Sequence, residues 1–221
     1  MSIEIKNYEI LKKDIEGKAK LLVVSKKQTR EDIIAYYNLG ERAFAENRSQ
    51  ELLSKIDLYD DIEWHFIGHL QRNKVKDVIP HIQVLESLDS LELARVIEDY
   101  CIKHEKGVRA LVEIHLAEND FRKTGIKKED VYAFFESCKN FKHIQIEGIM
   151  VMGPHFESEE NIRNIFKEAH SIFVNLQEKY GKDKIKTLSM GMTHDYKIAI
   201  EEGSTEVRIG TFLFTPKEEV Q

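Results

Sequence analysis

The sequence predicts an α/β chain closed into a single (β/α)8 TIM barrel, and two observations predict it. Eight short apolar runs alternate with helix-spaced segments along a 221-residue chain, just above the ~200-residue lower bound of that fold. The first run, Ala19 to Lys26, is partly β-branched and does not alternate with polar residues, as expected of a strand buried on both faces of a parallel sheet. With 42% hydrophobic and 33% charged residues the chain can bury one sizeable core, so residues 1-221 are read as one domain.

The elements follow in order. After the first run, Thr29 stands before Arg30-Glu31-Asp32, a helix start whose hydroxyl can accept the first free amides. Ala43 to Glu46, Trp64 to Gly68 and Gln83 to Glu86 are the next three strand-like runs, and Leu91, Ala94, Ile97 and Cys101 then fall at helical spacing. Ala110 to His115 and Gln145 to Met150 are the fifth and sixth runs. Lys127-Lys128-Glu129-Asp130, between them, reads as the opening of a solvated helix, while Trp64 and Phe134-Phe135 read as core. Ser158 with Glu159-Glu160 starts a long helix that carries Ile162, Ile165, Phe166, Ala169, Phe173 and Leu176 and closes near Gly181. Thr187 to Met190 and Glu206 to Ile209 complete the set. An open doubly wound sheet is the rival arrangement, but the turn after the first strand, Lys26-Lys27-Gln28, has no glycine and so lacks the dinucleotide fingerprint.

Composition removes several functions. Thirty-three Lys and Arg against 39 Asp and Glu leave a charge of −6, which argues against nucleic acid as a partner. The longest apolar runs, such as Leu21 to Val24, fall far short of the ~20 residues that span a bilayer, so no membrane partner is expected. Glu4, Lys6, Glu9, Lys12 and Lys13 interrupt the first residues, so no signal peptide is read and the expected location is the cytoplasm. Cys101 and Cys138, each in a helix-like stretch, read as reduced structural thiols.

In such a barrel the chemistry sits at the carboxyl ends of the strands. Lys26 ends an apolar strand, where desolvation would lower its pKa and free a nucleophilic amine for Schiff-base chemistry; the same position also suits a lysine that snorkels to solvent. At the other end of the chain, Ser189-Met190-Gly191-Met192-Thr193 and Arg208-Ile209-Gly210-Thr211 end the last two strands, the usual phosphate site of the fold, with Thr193 placed to cap the following helix. Gly191 and Gly210 also suit ordinary tight turns. Taken together, these segments and Lys26 suggest one ligand carrying a carbonyl and a phosphate. His65, His69 and His81 lack further ligands and an HExxH pattern, so no metal site is read.

Val23-Val24-Ser25-Lys26, Trp64 through Lys74, Lys123-Thr124-Gly125, Glu147-Gly148-Ile149-Met150, Leu188 through Asp195 and Val207 through Thr211 resemble the pyridoxal 5′-phosphate homeostasis proteins, over about residues 5 to 215. That family is similar to the N-terminal barrel of alanine racemase. The resemblance implies that Lys26 forms the Schiff base with pyridoxal 5′-phosphate and that Ser189, Gly191, Gly210 and Thr211 hold the phosphate. It further implies that Arg208 faces the pyridine nitrogen and that Asn47 and Met150 line the ring pocket. Ala45-Glu46-Asn47 and Phe214-Thr215 depart from the family's usual Gly-Glu-Asn and Phe-Gly, and Thr193 stands for a serine; no required group is lost. The function expected is a monomeric carrier and buffer of the cofactor, in transient contact with apo-enzymes that use it, without substantial turnover. The alternatives are an amino-acid racemase or a Schiff-base aldolase acting on a phosphorylated sugar. In alanine racemase a second base comes from a separate domain of the partner subunit, and this chain is expected to lack it.

Overall fold

The computed structural model describes residues 3–116, 124–154 and 157–215. Helix α1 (Ile5–Ile15) precedes β1 (Lys20–Val24), followed by α2 (Arg30–Asn38), β2 (Ala43–Glu46), α3 (Ser49–Leu53), β3 (Glu63–Phe66), α4 (Val75–Val78), β4 (Val84–Leu88), α5 (Leu91–Lys103) and β5 (Val108–His115). Then come β6 (Ile126–Lys127), α6 (Val131–Cys138), β7 (Ile144–Val151), α7 (Glu159–Tyr180), β8 (Thr187–Ser189), α8 (Tyr196–Glu201) and β9 (Glu206–Ile209). The strands pair in parallel in the order β4-β3-β2-β1-β9-β8-β7-β5, and β4 pairs with β5, so eight strands close into a barrel. The predicted fold class is the observed one. Unanticipated is the two-residue β6, which extends the sheet beside the end of β5 with Ile126 opposite Ile114. It takes Lys127 out of the cluster read as a helix start; Lys128–Asp130 form a 3-10 turn ahead of α6.

Local chemistry accounts for the helix boundaries. Thr29 Oγ1 accepts the Asp32 amide at 3.3 Å while the Asp32 carboxylate accepts the Thr29 amide at 3.2 Å, a reciprocal cap that starts α2. Ser158 accepts the Asn161 amide at 3.3 Å, and α7 ends at Gly181. Cys101 and Cys138 are both buried, and burial pushes the Cys138 thiol up to about 11, leaving little reactive thiolate.

Alternation along each strand divides the interior into two chemically different spaces. Leu21, Val23, Phe44, Trp64, Phe66, Val112, Ile149, Leu188, Val207 and Ile209 pack against the helices in one apolar layer. The opposite faces fill the barrel lumen with two small apolar patches, Leu22, Val24 and Ala45 in one and Val84, Leu111 and Met150 in the other. The rest of the lumen is charged.

Helix α1 takes the place that a helix following β9 would occupy. Its Tyr8 ring lies 5.5 Å from Tyr36 of α2, and its Asp14 accepts the Tyr196 hydroxyl of α8 at 2.8 Å. Asn7 donates to the Phe212 carbonyl at 2.9 Å, so the beginning of the chain covers the seam between β1 and β9.

Candidate functional site

Lys26 sits in a tight turn closed by the Gln28 amide donating to the Ser25 carbonyl at 3.0 Å. Lys27 has φ +63°, held by its amide donating to Glu51 at 2.6 Å, and this turn lifts Lys26 off the sheet. The side chain of Lys26 is exposed, so of the two readings its position allowed, the solvent-facing one describes it. The residue before it is fixed instead. Ser25 is fully buried; its hydroxyl donates to Glu46 at 2.7 Å, and its carbonyl accepts from Lys55 Nζ at 3.0 Å, while Lys55 also pairs with Glu46 at 2.7 Å. Burial pushes the Glu46 carboxyl up against the pull of Lys55.

β9 pairs with β1 and brings Gly210 to this turn. A Cβ on Gly210 would stand 3.2 Å from the Val24 carbonyl oxygen, so the two strand ends meet backbone to backbone. The turn is closed by the Leu213 amide donating to Gly210 at 2.8 Å, with Thr211 exposed. The Arg208 amide donates to the Gly191 carbonyl at 2.9 Å, joining the β8 and β9 loops. Thr193 does not cap α8, a correction to the sequence reading: Asp195 occupies the cap position and accepts the Met192 amide, while the Thr193 hydroxyl accepts the Phe212 amide at 3.3 Å.

Ser189 and Arg208 lie deeper than a rim position. Ser189 is fully buried, accepts from the Arg208 guanidinium at 2.8 Å and donates to Glu86 at 2.8 Å; Arg208 also donates to the Val151 carbonyl at 2.9 Å. Ser189 reaches a phosphate only by giving up one of these bonds. From Glu86 the chain of contacts continues to His65 Nδ1 at 2.7 Å, from His65 Nε2 to Glu63 at 3.0 Å, and from Glu63 to Arg109 at 2.7 Å. Six side chains thus cross the lumen from the carboxyl half of β9 to the amino-terminal half of β5.

The charges in this chain are mutually supporting. Burial works against a charged His65, but the bonds to Glu63 and Glu86 and the charges of Glu206 and Glu86 outweigh it and push the imidazole up to about 10. The His65 bond holds Glu63 down at about 2, with Arg109 assisting. Burial and the neighbouring Glu86 push Glu206 up to about 7, and among the described residues its Oε1 has no partner. His65, Glu86 and Glu206 bring ligand-type atoms within 4.8 Å of one another. Both His65 nitrogens are already bonded to carboxylates, and Arg208 supplies positive charge alongside, so hydrogen bonding accounts for the cluster. Sequence reasoning missed Glu63, Glu86 and Glu206. For Glu63 and Glu206 the signal is parity, since each stands two residues from His65 or Arg208 on the same face of its own strand, whereas Glu86, between Leu85 and Ser87 in β4, has no such partner in its strand.

Met150 is buried beside Val84, Leu111 and Met152 at the end of β7, opposite Ser189 in register. Asn47, half-buried, follows β2; a Cβ on Gly68 would fall 2.1 Å from the Asn47 carbonyl oxygen, so only glycine allows the β3 loop to lie against it. All eight residues singled out in the sequence therefore belong to five successive strands, β7-β8-β9-β1-β2. The remaining arc carries His69, whose Nδ1 lies 2.7 Å from Asp89, and Glu113, which accepts the Thr124 hydroxyl at 3.0 Å. Lys123 of the Lys123-Thr124-Gly125 motif lies outside the described residues.

Over residues 5–217 the chain matches the family described as alanine racemase, N-terminal domain. It is 38% identical over 201 residues to the pyridoxal phosphate homeostasis protein of Aquifex aeolicus (strain VF5), covering 90% of this chain and 87% of that protein. PipY of Synechococcus elongatus, solved with PLP bound, superposes with a TM-score of 0.87 at 28% identity, over 95% of this chain and 98% of that one. Alanine racemase of Corynebacterium glutamicum shares the fold at a TM-score of 0.72 and 15% identity, over 98% of this chain and 61% of that one.

Proposed function

The chain belongs to the alanine racemase N-terminal domain family and, within it, to the pyridoxal phosphate homeostasis proteins, and from that premise we propose that it binds pyridoxal 5′-phosphate reversibly and serves as its carrier and buffer. We take residues 1-221 to act as one monomeric domain in the cytoplasm, handing the cofactor to apo-enzymes in transient contact. The observation that carries the reading is an exposed primary amine, Lys26, beside the Gly210–Thr211 turn, on strands whose backbones touch at Val24 and Gly210. When bound, the cofactor supplies an aldehyde that condenses with an amine.

The residues fit such a group. Lys26 would hold the aldehyde, and the Ser25 anchor beneath it limits where the amine can go. Gly191, Gly210 and Thr211 would receive the phosphate on loops tied together by the Arg208 amide. Ser189 supports them through Arg208. Arg208 would face the ring nitrogen and keep it from taking up a proton, since a fixed cation disfavours a second one, and this weakens the ring as an electron sink. Asn47 and Met150 would flank the ring. Such a site retains an aldehyde better than it stabilises a carbanion, which supports a carrier over a racemase.

The test is borohydride reduction of the cofactor-loaded protein followed by peptide mapping. The pyridoxyl group is expected on Lys26; a label mainly on Lys27 or Lys74 overturns the assignment. Incubation with L-alanine and a chirality assay separates the classes, because turnover at ordinary enzymatic rates, about 1–10³ per second, restores the racemase reading.

A further inference from the structure

His69 is a sequence motif member at the barrel mouth that the binding reading leaves without a task. It follows β3 on the arc opposite the phosphate loops, and its side chain is 54% exposed while that of its partner Asp89 is 8% exposed. Asp89 is held rigidly: one carboxylate oxygen lies 2.7 Å from His69 Nδ1, and the other accepts the hydroxyl of Ser90, which itself caps α5 by accepting the Leu93 amide. A carboxylate at the start of a 13-residue helix is stabilised there by the helix dipole. A neutral imidazole that donates from Nδ1 to this carboxylate has Nε2 as its acceptor nitrogen, and among the described residues Nε2 takes no hydrogen bond.

The position of the pair is as telling as its geometry. Gly68, next to His69, rests on the Asn47 backbone, and Ile67 packs with Leu22, Val24 and Ala45 in the lumen patch below Lys26. β3 stands two strands from β1, roughly 10 Å along the rim at ordinary strand spacing. The charges of Asp89, Arg208 and His69 all act on Glu113, so the pair lies near the same carboxylate as Arg208. An exposed imidazole held in one tautomer by a buried carboxylate is the arrangement of an acid–base group, and nothing in binding an aldehyde and a phosphate requires it.

We propose that His69, positioned by Asp89, is the acid–base group that governs uptake and release of the aldehyde at Lys26. The inference rests on the binding reading above. Release consumes one water. The water oxygen bonds to the carbon joined to the lysine nitrogen and becomes the doubly bonded aldehyde oxygen, while the carbon–nitrogen double bond breaks with both of its electron pairs left on nitrogen. Both water protons end on that nitrogen, which held one and leaves as the ammonium of Lys26; each passes through His69 Nε2. Uptake is the same sequence reversed, and no oxidant or reductant enters.

The experiment loads wild type, His69→Ala, His69→Gln and Asp89→Asn with pyridoxal 5′-phosphate and follows the visible band as the cofactor is taken up and, with an excess aminooxy scavenger, released. Uptake and release are expected to slow together by on the order of 10²-fold in both His69 variants. Asp89→Asn should show a smaller loss, and added imidazole should restore His69→Ala, which a purely structural role would not permit. In cofactor-free wild type, nitrogen-15 NMR should find the proton of neutral His69 on Nδ1. Wild-type exchange rates in either His69 variant with Lys26 still labelled by borohydride, or a proton on Nε2, overturn this inference and leave the binding reading intact. Failure of wild type to take the cofactor on Lys26 overturns the reading itself and this inference with it.

Discussion

Two buried ionic clusters lie within a few residues of the site, and they are built differently. Under Lys26, outside the barrel wall, Glu46 and Lys55 form a compact pair closed by Ser25, with Glu51 3.9 Å from Lys55, and Glu46 Oε2 has no partner among the described residues. Inside the barrel, Arg208, Ser189, Glu86, His65, Glu63 and Arg109 form an extended chain in which both oxygens of Glu86 and both of Glu63 are engaged. The compact pair fixes a single point, the carbonyl from which the Lys26 turn hangs. The long chain distributes charge over five strands and sets the electrostatic environment of Arg208. A charge pair can thus position one loop, whereas a charge chain ties together the wall on which several loops stand.

The largest effect is expected where the compact pair is broken. Lys55→Met leaves Glu46 buried without its cation, and the loss should be about 3–5 kcal/mol in urea denaturation. The double variant Lys55→Met with Glu46→Leu should recover most of the stability yet leave the Lys26 turn looser, seen as slower labelling by pyridoxal phosphate. If the double variant is as unstable as the single, the loss comes from the Lys55 contact with Glu51 rather than from the uncompensated Glu46.

A second comparison uses pH. His65 is raised in the fold, so its contribution is complete below the ordinary histidine pKa of about 6.5 and is lost as pH rises toward about 10. Stability should therefore fall by a few kcal/mol between pH 7 and 10, at up to about 1.4 kcal/mol per pH unit. Glu206 is also raised, to about 7, so its own contribution fades over the range below, from about pH 4.5 to 7. His65→Gln should be less stable at pH 7 and lack the alkaline slope; thermal melts across pH decide it, and an unchanged slope places the titration elsewhere.

The smallest effect sharpens the account of the chain itself. Ser189→Ala removes the hydroxyl shared by Arg208 and Glu86 and should cost about 2 kcal/mol, since bonds to charged groups contribute roughly 1.5–3 kcal/mol each. It should also weaken cofactor retention by freeing Arg208. Unchanged cofactor affinity in a destabilised Ser189→Ala protein would confine the serine to structure.

Much of this was legible in the sequence. Short apolar runs separated by helix-spaced segments marked all eight barrel strands, because each parallel strand carries enough apolar residues to stand out. The exposed state of Lys26 was not legible, since adjacency to Val24 says nothing of the turn that Lys27 makes at φ +63°. The lumen chain was hidden for a different reason: Ser189 meets Glu86 103 residues away in sequence, and an acid inside a strand reads as an interruption until a partner is known. Asp89 was likewise silent beside Ser90, whose capping role alone was enough to explain a polar pair there.

The seam covered by α1 also bears on how the protein is made. β1 is paired on one side by β2, but its other edge waits for Glu206–Ile209, about 185 residues later. At ordinary synthesis rates of about 5–20 residues per second, Leu21 to Val24 emerge on the order of ten seconds or more before the strand that seals them. Through that interval the ribosome-bound chain presents an unpaired apolar edge, and α1 has no β9 loop to dock on. The barrel cannot complete itself vectorially, so its yield in the cell should depend on whatever shields that edge until the last strand arrives.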